Sequence, residues 1–354
     1  MIRKKILVLG GTGAMGVYLV TELLDAGFEL LVTSRSRHET DRPGLRYLQG
    51  NARDLPFLRS LLSNSRPDAI VDFMSYSTAE FDARRDILLT GTAHYLFLSS
   101  YRVFADSSPL PLTERSPRLL DTCGDEAYLA TDEYALAKAR QEDLLRQANQ
   151  GNWTILRPGI TYSRNRFQLG TLEANTLCYR ALQGLPVIMA REILTKQTTM
   201  TWAGDVARLM VRLILSSSAL SEDFNIASAE HRSWSEIAGY YAQFLNLRLM
   251  ETDLSSYEKI VGRPYQIKYD RLFDRMLDNT KVLAATGISQ SEFTPLRVGL
   301  ERELAAFKKQ PCFQYPDLAL NARMDRFTGS RLPLAGLPLK QKIRYFLEKY
   351  RRIN

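Results

Sequence analysis

Lys5-Ile6-Leu7-Val8-Leu9-Gly10-Gly11-Thr12-Gly13-Ala14-Met15-Gly16 is the stretch on which the reading of the chain turns. An apolar run of strand character enters a glycine cluster. A helical pattern follows, with Val17, Leu19, Val20, Leu23 and Leu24 available for one buried face. Glycines at 10, 13 and 16 suit a sharp turn from strand to helix. At such a turn, free backbone N–H groups and the helix dipole favour a pyrophosphate. The loop candidates for holding it are Gly10, Thr12, Gly13, Ala14, Met15 and Gly16. A glycine-rich turn that binds nothing has the same local pattern, so the rest of the chain must decide.

Downstream, strand and helix alternate. The pattern predicts a helix over about 14–26 closed by Gly27, a strand over 28–33 and a short strand over 45–48. Next come a helix capped by Asp54, a buried strand over 69–74 and a strand over 95–99. One long helix over about 126–147 and a strand over 153–156 follow. This alternation predicts an α/β fold: a Rossmann-like, doubly wound parallel sheet with helices on both faces. From about Tyr162 the alternation breaks. A helix near 171–182, a strand over 186–189 and a helix-rich stretch over 233–310, irregular across 257–269, predict a smaller, mainly helical C-terminal domain. The expected division is 1–162, completed by about 198–230, then 163–197 with 231–310, and an appendage over 311–354.

Bulk properties narrow the function classes. The 354 residues are 45% hydrophobic and 24% charged, with net charge +8. Cys123, Cys178 and Cys312 form no C-x-x-C, and His38, His94 and His231 have no ligand spacing, so neither a disulfide framework nor a metal site is expected. No apolar run reaches membrane-spanning length and strand one follows the N-terminus directly, which predicts a soluble, cytoplasmic chain. The arginines are spread out and no basic run is interleaved with aromatics. Nucleic acid is therefore not the expected partner; an anionic small substrate accounts for the charge equally well.

The end of strand two selects the dinucleotide. An acid there would accept from the ribose 2′-OH of NAD. This chain has Ser34-Arg35-Ser36-Arg37, with no acid before Glu39. Ser34, Arg35 and Arg37 would suit a 2′-phosphate, so NADP(H) is expected, with NAD as the alternative. Asn51 and Ala52, after the third strand, would lie near the adenine. Ser100, in Leu98-Ser99-Ser100-Tyr101-Arg102-Val103-Phe104, places a hydroxyl where open α/β sheets bind ligands. Tyr134-Ala135-Leu136-Ala137-Lys138 places a phenol and an ammonium on one helical face. A nearby cation favours the phenolate, so Tyr134 can act as acid or base.

Together these motifs resemble the extended short-chain dehydrogenase/reductase family of nucleotide-sugar epimerases, dehydratases and reductases. Leu156-Arg157-Pro158-Gly159-Ile160-Thr161-Tyr162, Thr201-Trp202-Ala203-Gly204-Asp205-Val206-Ala207 and Phe224-Asn225-Ile226-Ala227-Ser228 extend the resemblance over most of 5–310. It implies that Ser100 polarises the substrate oxygen, Tyr134 moves its proton, and Lys138 binds the nicotinamide ribose and lowers the Tyr134 pKa. It places Met74, Ser75, Pro158, Gly159 and Ile160 near the nicotinamide, and Tyr76, Ser100, Tyr101 and Thr161 against substrate. Arg271 and Arg275 are the guanidiniums expected on a nucleotide diphosphate. Asp205 resembles an acid heading a helix, and a structural N-cap is its expected role. Met74-Ser75-Tyr76-Ser77 departs from the family's small-residue run, and Tyr101-Arg102 lacks a dehydratase's acidic pair beside the serine.

The expected activity is NADP-dependent reduction of a keto-sugar carried on a nucleotide. An epimerase would use the same residues. A catalytically silent dinucleotide-sensing or RNA-binding module is the alternative of another class. Cys123 is expected to be a passive loop thiol. The basic amphipathic helix over 337–350 is expected to pack or to contact a second copy in a homodimer, rather than to bind a membrane.

Overall fold

Alternate residues of the first strand serve opposite faces of a sheet. In the computed structural model, which describes residues 3–106, 109–313 and 317–351, Ile6 and Val8 join one apolar cluster and Leu7 and Leu9 another. The sheet has seven parallel strands: β1 (Lys5–Leu9), β2 (Glu29–Ser34), β3 (Leu45–Gln49), β4 (Ala69–Asp72), β5 (His94–Leu98), β6 (Trp153–Pro158) and β7 (Glu222–Ile226). Their order is β7-β6-β5-β4-β1-β2-β3. Leu9 pairs in register with Asp72, so the strand order reverses between β1 and β4, the position where such sheets bind ligands.

Helix α1 (Gly16–Asp25) contributes Leu19, Val20 and Leu23 to the first cluster, and α5 (Ala203–Leu213) contributes Val206, Leu209 and Met210. Helices α2 (Leu55–Ser65), α3 (Thr78–Thr90) and α4 (Tyr134–Arg146) contribute Leu58, Phe81 and Leu145 to the second. Both faces of the sheet are thus covered, as an all-parallel sheet requires. The doubly wound reading holds.

The chain divides into two units, 1–161 with 199–229 and 276–294, and 162–198 with 230–275 and 295–354. Residues 276–294, placed by the sequence with the second domain, belong to the first unit. Val282, Ile288 and Phe293 are buried in the α1/α5 cluster, and Asn279 donates to the Ala227 carbonyl at 3.0 Å. In the second unit, strand Pro186–Ala190 pairs in parallel with Arg248–Thr252. The stretch expected to be irregular is largely helical, over Leu254–Val261 and a π-turn at Ile267–Arg271. Residues 314–316 and 352–354 of the expected appendage lie outside the described part. Among the described residues no helix is long and apolar enough to cross a membrane. Nor is any group of three or more His, Cys, Asp or Glu placed to hold a metal ion.

Candidate functional site

The glycine loop has separate reasons for its three spaced glycines. Gly10 turns the chain at φ +72° and donates its N–H to Thr33 Oγ1 at 3.0 Å. At Gly16 a Cβ would sit 2.4 Å from the Gly11 carbonyl oxygen, so loop and helix start can touch only if it is absent. A Cβ on Gly13 would meet only the Gly10 oxygen, at 3.7 Å; its hydrogen faces open space that a ligand can use. Helix α1 begins at Gly16 with no capping side chain and no acid in its first turn. Its positive end is left to an anion. These features fit a dinucleotide pyrophosphate.

At the end of β2, Ser34 is buried. Its Oγ accepts from the Ser36 N–H at 3.2 Å and lies 3.0 Å from His38 Nε2. Arg37 pairs with Glu39 at 2.7 Å, with both side chains largely exposed, a contact of little energetic weight. Arg35 is exposed, its carbonyl accepting from Gln49 Nε2 at 3.3 Å. Asn51 is exposed and Ala52 buried, in a loop joined to the segment after β4 by a hydrogen bond from the Arg53 guanidinium to the Ser75 carbonyl. Asp54 stands at the start of α2 but caps it with no side-chain hydrogen bond. Met74 Sδ lies 3.0 Å from where a Cβ on Gly10 would be, which brings the expected nicotinamide-side segment to the glycine loop.

The sequence reading missed Asp72. It is buried at the end of β4 and accepts from the Met74 N–H and the Tyr95 hydroxyl, each at 2.9 Å, and from the Tyr76 hydroxyl at 3.5 Å. Burial raises its pKa despite those donors. The signal was present as a lone acid within an apolar strand. Tyr76, expected to touch substrate, is instead buried against Arg84 and Phe81.

The expected long helix is interrupted. A short turn covers Glu126–Leu129, and α4 starts anew at Tyr134. Thr131 Oγ1 accepts from the Glu133 N–H at 3.2 Å, and the Glu133 carboxylate accepts from the Ala135 N–H at 2.8 Å. Side chains that bond the local backbone compete with helix, and Thr131-Asp132-Glu133 is such a run. The break sets Tyr134 on the first turn, 39% exposed. The Arg102 guanidinium lies 5.1 Å from its ring centroid and donates to Glu133 at 2.6 Å. The Arg102 N–H donates to Ser100 Oγ at 3.2 Å. Arg102 thereby ties the turn bearing the serine to the start of the helix bearing the tyrosine.

One turn on, Lys138 is buried. Its Nζ donates to the Leu98 carbonyl at 2.7 Å and lies 4.6 Å from the Phe97 ring centroid. Burial lowers its pKa to about 8, against the opposing pull of Asp72 and Glu142. Glu142 accepts from Ser99 Oγ at 2.6 Å and twice from Arg157 at 2.8 Å. Its burial is outweighed by Arg157, which holds the carboxyl at about 2.

Other expected residues are packed. Pro158 ends β6 opposite Ile226, Gly159 lies close against Thr199, and the Ile160 N–H donates to the Thr199 carbonyl at 3.1 Å. Tyr101 and Thr161 are buried. Asp205 is the third residue of α5, not its N-cap; its carboxylate accepts from the Thr294 N–H at 2.8 Å and from Arg208 at 2.6 Å. In the second unit, Arg271 and Arg275 are buried and both pair with Asp270. Arg271 also donates to the Gly170 carbonyl at 2.7 Å, and Arg275 to the Tyr269 carbonyl at 2.9 Å. The sequence could not display these pairings, because Asp270 reads as one more surface acid.

Residues 6–227 match the family model described as NAD dependent epimerase/dehydratase. The chain is 26% identical over 147 residues to the UDP-glucose 4-epimerase of Lacticaseibacillus casei, covering 36% of this chain and 44% of that protein. It is 23% identical over 254 residues to the chloroplast stem-loop binding protein of 41 kDa b of Arabidopsis thaliana, covering 66% of this chain and 61% of that protein. The chain thus spans about half the length of these curated relatives. Its structure is similar to that of the Bordetella bronchiseptica enzyme WbmH in complex with NAD+, with TM-score 0.67 and 16% identity, covering 88% of this chain and all of that one. At that identity the likeness establishes the fold.

Proposed function

The chain belongs to the NAD dependent epimerase/dehydratase family, and on that premise we propose that it is an NAD(P)-dependent oxidoreductase acting on a nucleotide-linked sugar. The supporting observation is the placement of Lys138: buried, bonded to the Leu98 carbonyl, and one helical turn from Tyr134. Ser100 follows that carbonyl by two residues.

The nicotinamide, when bound, supplies or accepts the hydride. Lys138 has one N–H on Leu98 and two more to offer ribose hydroxyls. Tyr134 passes the proton to or from the sugar oxygen, and Ser100 donates to that oxygen as charge builds on it. The Gly10–Gly16 turn and the start of α1 hold the pyrophosphate. Arg35, exposed beside Ser34, favours NADP(H), and with it reduction of a keto-sugar. Epimerisation is the second reading, supported by the relative named UDP-glucose 4-epimerase. Both use the same residues.

The test incubates the purified chain with NADPH or NADH and a panel of nucleotide sugars and nucleotide-linked keto-sugars. Loss of nicotinamide absorbance and product stereochemistry are followed together. Net NADPH consumption on a keto-sugar supports the reductase. Inversion with no net consumption supports the epimerase. Dinucleotide binding without turnover on any sugar, together with retention of a stem-loop RNA, overturns both in favour of a binding module of the kind named in the plant relative.

A further inference from the structure

The helix Leu339–Tyr350 has two apolar sides, and only one is used. The inner side is fastened. Tyr345 is buried with Ala322 and Leu332, and its hydroxyl donates to Asp325 at 2.6 Å. Lys349 donates to the Ser330 carbonyl at 2.7 Å, and Glu348 accepts from Arg323 at 2.8 Å. Asp325 in turn accepts from the buried Arg180 at 2.8 Å, which anchors the whole attachment to helix Ala174–Leu182. The outer side is apolar where a solvated helix would be polar. Leu339, Ile343 and Leu347, four residues apart, form one stripe with Tyr350, and are 73%, 50%, 69% and 72% exposed. Packing of the second unit's own core requires none of them.

One position further round the helix stand Lys340, Arg344 and Glu348, with Arg351 just past the helix end; the three cations are exposed, and Arg351 lies 3.9 Å from Glu348. Apolar residues at the centre with cations beside them make the arrangement of a helix lying in a lipid interface, its stripe among acyl chains and its cations at anionic headgroups. A second copy of this chain fits the stripe less well. The one acid on this helix, Glu348, already pairs with Arg323 and Arg351, so the cations of a second copy would find no free carboxylate there. A nucleic acid would call for cations at the centre of contact and none of the exposed leucine and isoleucine.

We propose that the outer face of helix Leu339–Tyr350 is a peripheral docking surface for an anionic phospholipid membrane, holding the protein at the bilayer without crossing it.

The test is co-sedimentation of the full chain with vesicles of phosphatidylcholine alone and of phosphatidylcholine with phosphatidylserine. Binding to the anionic vesicles is expected, weakening with salt, with little binding to the neutral ones. Ile343→Ser with Leu347→Ser should weaken it by roughly tenfold or more, given the several buried carbons removed. Lys340→Glu with Arg344→Glu should weaken it similarly at low salt, because each cation contributes near an anionic surface. Both pairs lie on the exposed side, and unchanged circular dichroism and melting will confirm the fold. Absence of binding to anionic vesicles overturns the proposal, as does undiminished binding by both variants. So does a solution dimer that the Ile343→Ser/Leu347→Ser variant dissolves, since the stripe would then be covered by a second copy.

Discussion

Lys138 Nζ and the Leu98 carbonyl meet at 2.7 Å, a hydrogen bond from the middle of α4 to the last residue of β5. It fixes the helix on the sheet and holds an ammonium where the backbone and Phe97 exclude water. The position is costly for a charge, and that cost is expressed in the pKa of about 8.

The sign follows directly. The folded pKa lies below the unfolded one, so below about pH 8 Lys138 is charged in both states and its burial opposes folding. Between about 8 and 10.5 the folded chain loses the proton first, and that penalty fades. Lys138→Met should therefore leave the melting temperature at pH 7 unchanged or raised. Its dinucleotide affinity should fall about tenfold, the weight of a hydrogen bond from a charged group. Wild-type affinity, followed by titration calorimetry, should decline as pH rises past about 8. A variant that melts much earlier would assign Lys138 to structure.

The glycine loop separates folding from binding. Gly16→Ala forces a Cβ into the Gly11 backbone at 2.4 Å and should destabilise the chain by roughly 2 kcal/mol or more. Gly13→Ala has room, and should melt like the wild type while binding dinucleotide at least tenfold more weakly. Thermal melts and cofactor titration of the two variants check this together. Equal melting of both would remove the steric account of Gly16.

His94 is a buried acid sensor of stability. The Leu215 N–H donates to its Nδ1 at 3.0 Å, so Nε2 carries the proton and donates to Thr154 Oγ1 at 2.7 Å. Burial lowers its pKa to about 4. Below about pH 6.5 the unfolded chain takes a proton that the folded chain refuses, so stability is lost as pH falls from about 6.5 towards 4. The full loss is about 3 kcal/mol for a shift of this size. Urea unfolding at pH 7 and pH 5 should show it, and His94→Gln should flatten the slope.

Much of this molecule was legible beforehand. Apolar runs such as Ile6–Leu9 and Ala69–Val71 read as buried parallel strands because both faces of the sheet are covered. Ser100, Tyr134 and Lys138 are proposed from their spacing and the family resemblance, and the structure sets Lys138 one helical turn from Tyr134. What escaped depended on partners distant in the chain. Asp72 is explained by Tyr95 on the neighbouring strand and by Lys138 on α4. The break before Tyr134 comes from side chains capturing backbone groups, which periodicity does not register. The approach of His38 to Ser34 is another contact that the sequence pattern does not display.

Arg275, expected on a nucleotide diphosphate, is buried against Asp270. A diphosphate-binding arginine would show its loss in KM. This one is 2% exposed, with Nε 3.2 Å from Asp270, and Asp270 is itself fully buried. Arg275→Ala leaves that carboxylate with less compensation and should cost about 3 kcal/mol or more of stability. Chemical denaturation will read it. An unchanged unfolding midpoint with a raised KM would restore the substrate role.

Tyr134 carries the chemical prediction. It stands on the first turn of α4, 39% exposed, so Tyr134→Phe removes a hydroxyl without opening a cavity. Stability and dinucleotide affinity should stay near wild type. Turnover should fall by roughly two to four powers of ten, the usual worth of a positioned acid or base. Ser100→Ala should lose mainly rate, because its hydroxyl matters most as charge develops on the sugar oxygen. Arg102 links the two: its backbone N–H holds the Ser100 hydroxyl at 3.2 Å, and its guanidinium donates to Glu133 at 2.6 Å and lies over the Tyr134 ring. Arg102→Leu keeps the first bond and removes the guanidinium contacts that seat Tyr134, so it should lower kcat more than it raises KM. Steady-state kinetics of the three variants on the substrate identified by the screen decide the matter. Ordinary turnover by Tyr134→Phe would mean that another group moves the proton.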